Sequence, residues 1–187
     1  SVGGVTYVNL LDRVLPIIMD NGYSITVDDK RESNESFDFT AVDESTFAHK
    51  NWPEKHQLAG QPVVLRDYQI TIVNKYLTTP QCLQEIATGA GKTLITAALS
   101  ERVEKYGRSI VIVPNKDLVR QTFDDYENLG LDVGVYYGDK KDIGRTHTIC
   151  TWQSLNSIKK RFRDGLTDMS LREFSDGVVC VIVDEVH

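Results

Sequence analysis

Long apolar runs, cysteine and surplus positive charge are all scarce in this sequence. No stretch approaches the ~18–20 apolar residues that a bilayer-spanning helix needs. The hydrophobic fraction of 41% and charged fraction of 26% are those of a soluble globular chain, so no membrane partner is expected. Cys82, Cys150 and Cys180 lie far apart with no Cys or His close by in sequence. That spacing speaks against a zinc site or a disulfide framework and fits reduced thiols on buried strands of a cytoplasmic protein. The N-terminal SVGGVTYVNL lacks a basic region followed by an apolar stretch and a cleavage site, so no secretory signal is expected. A net charge of −6 argues against nucleic-acid binding over the whole surface. No internal repeat or low-complexity tract is present.

Charge is uneven along the chain. Residues 1–60 carry 5 Lys and Arg against 10 Asp and Glu, whereas residues 61–187 carry 16 against 17. Within the latter, Lys140 to Arg163 holds seven basic residues and a single acid, Asp142. The organisation follows this division. Residues 9–20 have helical apolar spacing interrupted by Pro16, Asn21-Gly22 is a stop, and Tyr23–Val27 alternates like a strand. Residues 1–27 therefore read as the remnant of a small α+β accessory domain. Residues 28–62 read as an acidic linker that packs through Phe37, Phe39, Phe47 and Trp52.

From residue 63 onward, apolar runs alternate with helical ones, the pattern of a mostly parallel sheet covered by helices on both faces. Strands are predicted at Cys82–Ile86, Ser109–Val113, Asp132–Tyr136, Thr146–Cys150 and Val178–Val183. Helices are predicted at Gly91–Tyr106, Lys116–Leu129 and Trp152–Phe162. The fold class is α/β, and residues 63–187 form its main domain.

Two segments carry chemistry. Ala87-Thr88-Gly89-Ala90-Gly91-Lys92-Thr93 lies between a predicted strand and a predicted helix, the context of a phosphate-binding loop. Gly89 and Gly91 let backbone N–H groups of Thr88 to Gly91 turn around phosphates, and the helix offers its positive end. Lys92 would reach the β- and γ-phosphates of ATP, and the Thr93 hydroxyl would ligate Mg²⁺. The general pattern has glycine where this chain has Ile86. The second segment, Val178 to His187, is an apolar strand ending in Asp184-Glu185-Val186-His187. Asp184 would hold Mg²⁺, and Glu185 would orient and deprotonate the attacking water. An acidic pair after a strand is usually an exposed loop; beside a phosphate loop it becomes the expected metal-binding partner.

The order Leu65-Arg66-Asp67-Tyr68-Gln69, ATGAGKT, Val113 to Gln121, Cys150-Thr151-Trp152-Gln153-Ser154-Leu155 and DEVH resembles the first RecA-like motor domain of superfamily 2 helicases, in the DExH-box branch. There the first loop glycine is often replaced. The resemblance implies that Gln69 reads adenine and Arg66 helps hold the nucleotide. It implies nucleic-acid phosphate contacts at Pro114, Asn115, Lys116, Gln121, Thr151 and Gln153, with Lys159 and Lys160 in a basic strip. It also implies that His187 couples nucleotide state to a second motor domain expected beyond this chain. Leu10 to Pro16 followed by Asp20-Asn21-Gly22-Tyr23, together with Trp152-Gln153, is similar to UvsW-type phage recombination helicases. The implied activity is an ATP-dependent DNA helicase or translocase acting in recombination, repair or replication restart, with this monomeric fragment turning over little. A restriction-type translocase, an RNA helicase and a nucleotide-binding module without turnover are the competing readings.

Overall fold

A computed structural model describes residues 10–26, 37–79 and 81–185. The chain divides into two compact units, Ser1–Ser36 and Phe37–His187. In the first, helix α1 (Leu11–Asp20) ends where Gly22 N–H donates to Met19 O at 2.9 Å. The Asn21 side chain adds a bond to Ile17 O at 2.7 Å. None of its residues is buried, as expected of a short amphipathic helix with little to pack on. Tyr23–Thr26 forms no strand, and Val27 lies outside the described residues. A strand needs a partner's backbone groups, and within this unit none is described.

The second unit starts at Phe37, well before the point where the sequence pattern changes. Val42 N–H donates to Asn74 Oδ1 at 2.8 Å, and Asn74 Nδ2 returns a bond to Val42 O at 3.0 Å. Phe47 is buried, and Phe37 and Phe39 pack on Tyr106 with centroids 4.7 and 5.1 Å away. Apolar burial here offsets the acidity of the segment.

Behind it come α2 (Asp67–Thr78), α3 (Lys92–Val103), β1 (Arg108–Val113), α4 (Lys116–Asn128), β2 (Val133–Tyr137), β3 (Lys140–Lys141), β4 (His147–Thr151), α5 (Trp152–Arg163), α6 (Leu171–Phe174) and β5 (Val178–Val183). The sheet order is β3-β2-β4-β1-β5, with β3 antiparallel to β2 and every other pairing parallel. Alternate residues of β1 serve opposite faces. Val111 and Val113 join α3 and α4 in one core with Ala97, Ala98 and Val119. Ile110 and Ile112 join Ile158 of α5 and Phe174 of α6 in the other. Both faces are thus covered, as a parallel sheet requires.

One predicted strand is absent. Cys82–Ile86 makes no sheet pairing, and Leu83 is 84% exposed. Among the described residues β5 pairs only with β1, so its outer edge is free, and Val181 and Val183 are 58% and 48% exposed. An apolar run becomes a strand only when a neighbour takes its backbone groups, and Cys82–Ile86 has none among the described residues. The cysteines follow suit. Cys150 on β4 is buried and Cys180 on β5 half-buried, burial pushing their thiols up to about 12 and about 11. Cys82 stands on no strand.

Candidate nucleotide and nucleic-acid site

In a parallel sheet the carboxyl ends of the strands share one edge, and ligands gather there. The register fixes which residues meet. Val113 lies opposite Thr151 and Ile112 opposite Val183, while Asp184 N–H donates to Ile112 O at 2.9 Å. Thr151, Val113 and Asp184 therefore stand in one row across neighbouring strands about 4.8 Å apart, with Pro114 the next residue along.

The loop before α3 is a tight turn, with Ala90 N–H bonded to Ala87 O at 3.2 Å. Gly89 and Gly91 adopt left-handed conformations, φ +80° and +76°, which cost an L-residue ~1–2 kcal/mol. Leu94 and Ile95 N–H groups return to Gly91 O. Those of Lys92 and Thr93, the first two of the helix, have no intrahelical acceptor and remain for an anion. Thr88 and Gly89 are exposed; Lys92 and Thr93 are partly covered.

Lys92 Nζ lies 3.8 Å from Glu185 Oε1. This is too long for a hydrogen bond but close enough for a charge pair. Glu185 is the one non-glycine residue with left-handed φ, +55°, among the described residues. Backbone strain of that kind costs ~1–3 kcal/mol and concentrates at functional sites. The loop lysine and the acid after β5, distant in sequence, share one corner of the molecule.

The start of α2 braces the loop. Gln69 is 3% exposed. Its Oε1 accepts from Arg66 N–H at 2.9 Å and its Nε2 donates to Ala90 O at 3.0 Å. Tyr68 donates its hydroxyl to the same carbonyl at 2.9 Å, and Arg66 Nη1 donates to Tyr68 at 3.2 Å. The amide of Gln69 is thus first a strut for the loop. One N–H and one lone pair remain for an adenine edge. Sequence reasoning passed over Tyr68, whose only signal is its place between Arg66 and Gln69.

The donors fit Mg²⁺ as that ion is usually bound. It takes one or two carboxylates plus phosphates and keeps several waters, and here Asp184 and Thr93 are the residues that would hold it. No group of three or more His, Cys, Asp or Glu able to cage a metal exists among the described residues.

The phosphate-contact candidates separate into two kinds. Asn115 caps α4, its side chain accepting from Asp117 and Leu118 N–H at 3.0 Å each. Thr151 is buried and caps α5, accepting from Ser154 N–H at 3.3 Å. These two shape helix starts. Lys116, Gln121, Gln153, Lys159 and Lys160 are exposed, and Pro114 is half-covered. Arg145 is engaged by Asp132 at 3.2 Å and Asp142 at 3.6 Å, which removes it from a free basic strip. His187 lies outside the described residues.

With the loop, the acids and the helix starts on one sheet edge, comparison with known proteins becomes informative. A family model described as "Type III restriction enzyme, res subunit" matches residues 62–187. The chain belongs to this family. Its fold is that of the first RecA-like motor domain of helicases of this type. The UvsW helicase of bacteriophage T4 is similar with a TM-score of 0.62 at 17% identity, covering 93% of this chain and 69% of that one. A second T4 UvsW structure gives 0.60 at 15% identity, and there the match spans 93% of this chain but 40% of the other. No curated protein matches in sequence. Among the described residues no helix is long and apolar enough to cross a membrane.

Proposed function

We propose that this chain is the nucleotide-binding motor lobe of an ATP-dependent DNA helicase or translocase, acting on branched or duplex DNA in recombination, repair or replication restart in a bacterial or phage-infected cytoplasm. The observation that carries the reading is the 3.8 Å approach of Lys92 to Glu185, beside a loop whose helix-start N–H groups are free. With ATP in place, Lys92 turns from Glu185 to the γ-phosphate, and Glu185 is released to accept a proton from water. Water oxygen bonds to the γ-phosphorus as the bond to the bridging oxygen breaks, leaving ADP and phosphate. Mg²⁺, held by Thr93 and Asp184, would supply neutralising charge at the phosphoryl oxygens. A second motor lobe supplying cations to the same phosphoryl group completes the site. This chain alone should bind ATP weakly and turn over little.

The test is ATP hydrolysis by the protein extended through a second motor lobe, with single-stranded, forked and duplex DNA and with RNA, beside Lys92→Ala. Stimulation by DNA that vanishes in Lys92→Ala supports the reading. Stimulation by RNA alone would replace it with an RNA helicase, and no turnover on any nucleic acid would leave a nucleotide-binding module. The family's own description favours one alternative, a restriction-type translocase. Equal stimulation by plain and forked duplex would select it.

A further inference from the structure

Trp152 is 57% exposed at the first position of α5, directly after the buried cap Thr151. Burial normally stabilises a Trp side chain by more than most residues gain, so an exposed indole at the ligand-bearing edge of the sheet calls for an explanation. Its own helix offers one. The inward positions of α5 are Ser154 and Ile158, both buried. Trp152, Asn156, Lys159, Lys160 and Arg163 are all exposed, at steps of four, three, one and three residues. That spacing places them along one outward stripe. It runs about 16 Å along the helix, with the aromatic end at the strand edge and the cationic end away from it. Among the described residues, Arg163 alone of the three cations has a carboxylate close by, Asp164 at 3.0 Å.

We propose that Trp152 is a base-stacking platform for a single nucleic-acid strand whose phosphates run along Lys159 and Lys160. The inference rests on the nucleic-acid reading above and deepens it. An indole face accepts any base, and stacking suits a strand whose bases are unpaired. The lysines supply attraction to the backbone without reading sequence. Lys116 adds to the path. It lies beside the β2–β3 turn, its Nζ 3.6 Å from where a side chain at Gly138 would begin. Basic side chains thus stand at the carboxyl end of β2 as well as along α5.

The experiment uses the 187-residue chain in its Trp52→Phe form, which leaves Trp152 as the sole indole. Trp52 is itself stacked on His56 with ring centroids 3.9 Å apart. The probes are a twelve-nucleotide oligothymidylate and a strand of equal length made of abasic residues. Binding of oligothymidylate should quench Trp152 fluorescence, and the abasic strand should bind more weakly. Trp152→Ala, followed by strand anisotropy, should lose on the order of five- to a hundredfold affinity for oligothymidylate and nothing for the abasic strand. Trp152→Phe should recover most of the loss. Lys159→Ala with Lys160→Ala should lower the slope of log affinity against log salt by about 1.4, while the preference for bases over abasic residues stays. If Trp152→Ala weakens both strands equally, or neither, stacking is wrong while the nucleic-acid reading stands. If the unaltered chain binds neither strand, both fall together.

Discussion

Ser109 and His147 lie directly opposite one another on β1 and β4, with Ser109 Oγ 2.8 Å from His147 Nδ1 and both side chains fully buried. His147 Nε2 lies 3.2 Å from Glu104 Oε2, Ser109 Oγ is 3.0 Å from Ser100 Oγ, and Ser100 Oγ is 3.0 Å from the Tyr126 hydroxyl. An ionised Glu104 can only accept, so His147 donates from Nε2 and accepts at Nδ1. The direction of every bond is then set: Tyr126 to Ser100, Ser100 to Ser109, Ser109 to His147, His147 to Glu104. Despite the Ser-His-Glu composition, Ser109 and His147 are shut off from any substrate, and only Glu104 reaches the surface. It ties α3, which carries the phosphate loop, to α4 and to two strands.

Burial pushes the His147 pKa below its ordinary value, against the partial opposition of Glu104 and Asp132. The unfolded chain therefore binds more protons at this site than the folded one just below the ordinary histidine value of ~6.5. Stability from His147 is present above that pH and falls as pH drops through it toward the folded value. Denaturant titrations at pH 5.5 and 7.5 should show this loss. His147→Gln should be less stable at pH 7.5 by ~1–3 kcal/mol and lack the corresponding part of the pH dependence. An unchanged pH dependence in the variant would show that other groups carry it.

A Cβ at Gly91 would lie 2.6 Å from Gln69 Nε2, at a φ of +76°. Gly91→Ala should therefore abolish ATP binding by two separable effects, steric and conformational. Gln69→Ala relieves the first but also removes the strut on Ala90 O, so the double variant is compared with Gln69→Ala alone and should still bind a fluorescent ATP analogue more weakly. Equal binding by the two would mean that backbone conformation at Gly91 is not limiting.

Asn115 and Thr151 serve as caps, and removing a cap costs ~1 kcal/mol. Asn115→Ala and Thr151→Ala should each lower stability by that amount with no nucleic acid present, and Thr151→Ser should restore it. Stability unaltered by either alanine, alongside weakened strand binding, would make them direct phosphate contacts instead.

The open flank of β5 bears on the expectation of a monomer. Free strand edges beside exposed apolar side chains invite pairing between chains. Val181→Lys together with Val183→Lys should reduce concentration-dependent association seen by sedimentation, with stability changed by less than about 1 kcal/mol. Association insensitive to both lysines would place the contact elsewhere.

Much of this was legible from residue order. The strands from Arg108 to Val183 lie within a residue or so of their predicted bounds, because continuous β-branched runs bounded by turns have few other solutions. Gly89 and Gly91 stand out in the sequence because only glycine takes left-handed φ cheaply. The rest needed three-dimensional context. Cys82–Ile86 reads as a strand by composition and lacks a neighbour. The two-residue β3 and four-residue α6 are too short to show a period. The bracing role of Gln69 depends on Ala90 O, 21 residues away, and no spacing rule could supply it. The capping roles of Asn115 and Thr151 are not separable in sequence from anion contacts, because a cap and an anion site use the same short polar residues.

Among the described residues, the strand that delivers Asp184 and Glu185 is the outermost of the sheet, bonded on one side. Local opening is easiest at such margins. Amide exchange should be faster in β5 than in β1 or β4, and each opening carries the acids away from Lys92. On the proposed reading, a nucleotide held by Lys92 on one side and Asp184 on the other would fasten that margin, and its affinity would be reduced by whatever fraction of the time the margin is loose. ATP binding and protection of β5 would then be two measures of a single equilibrium.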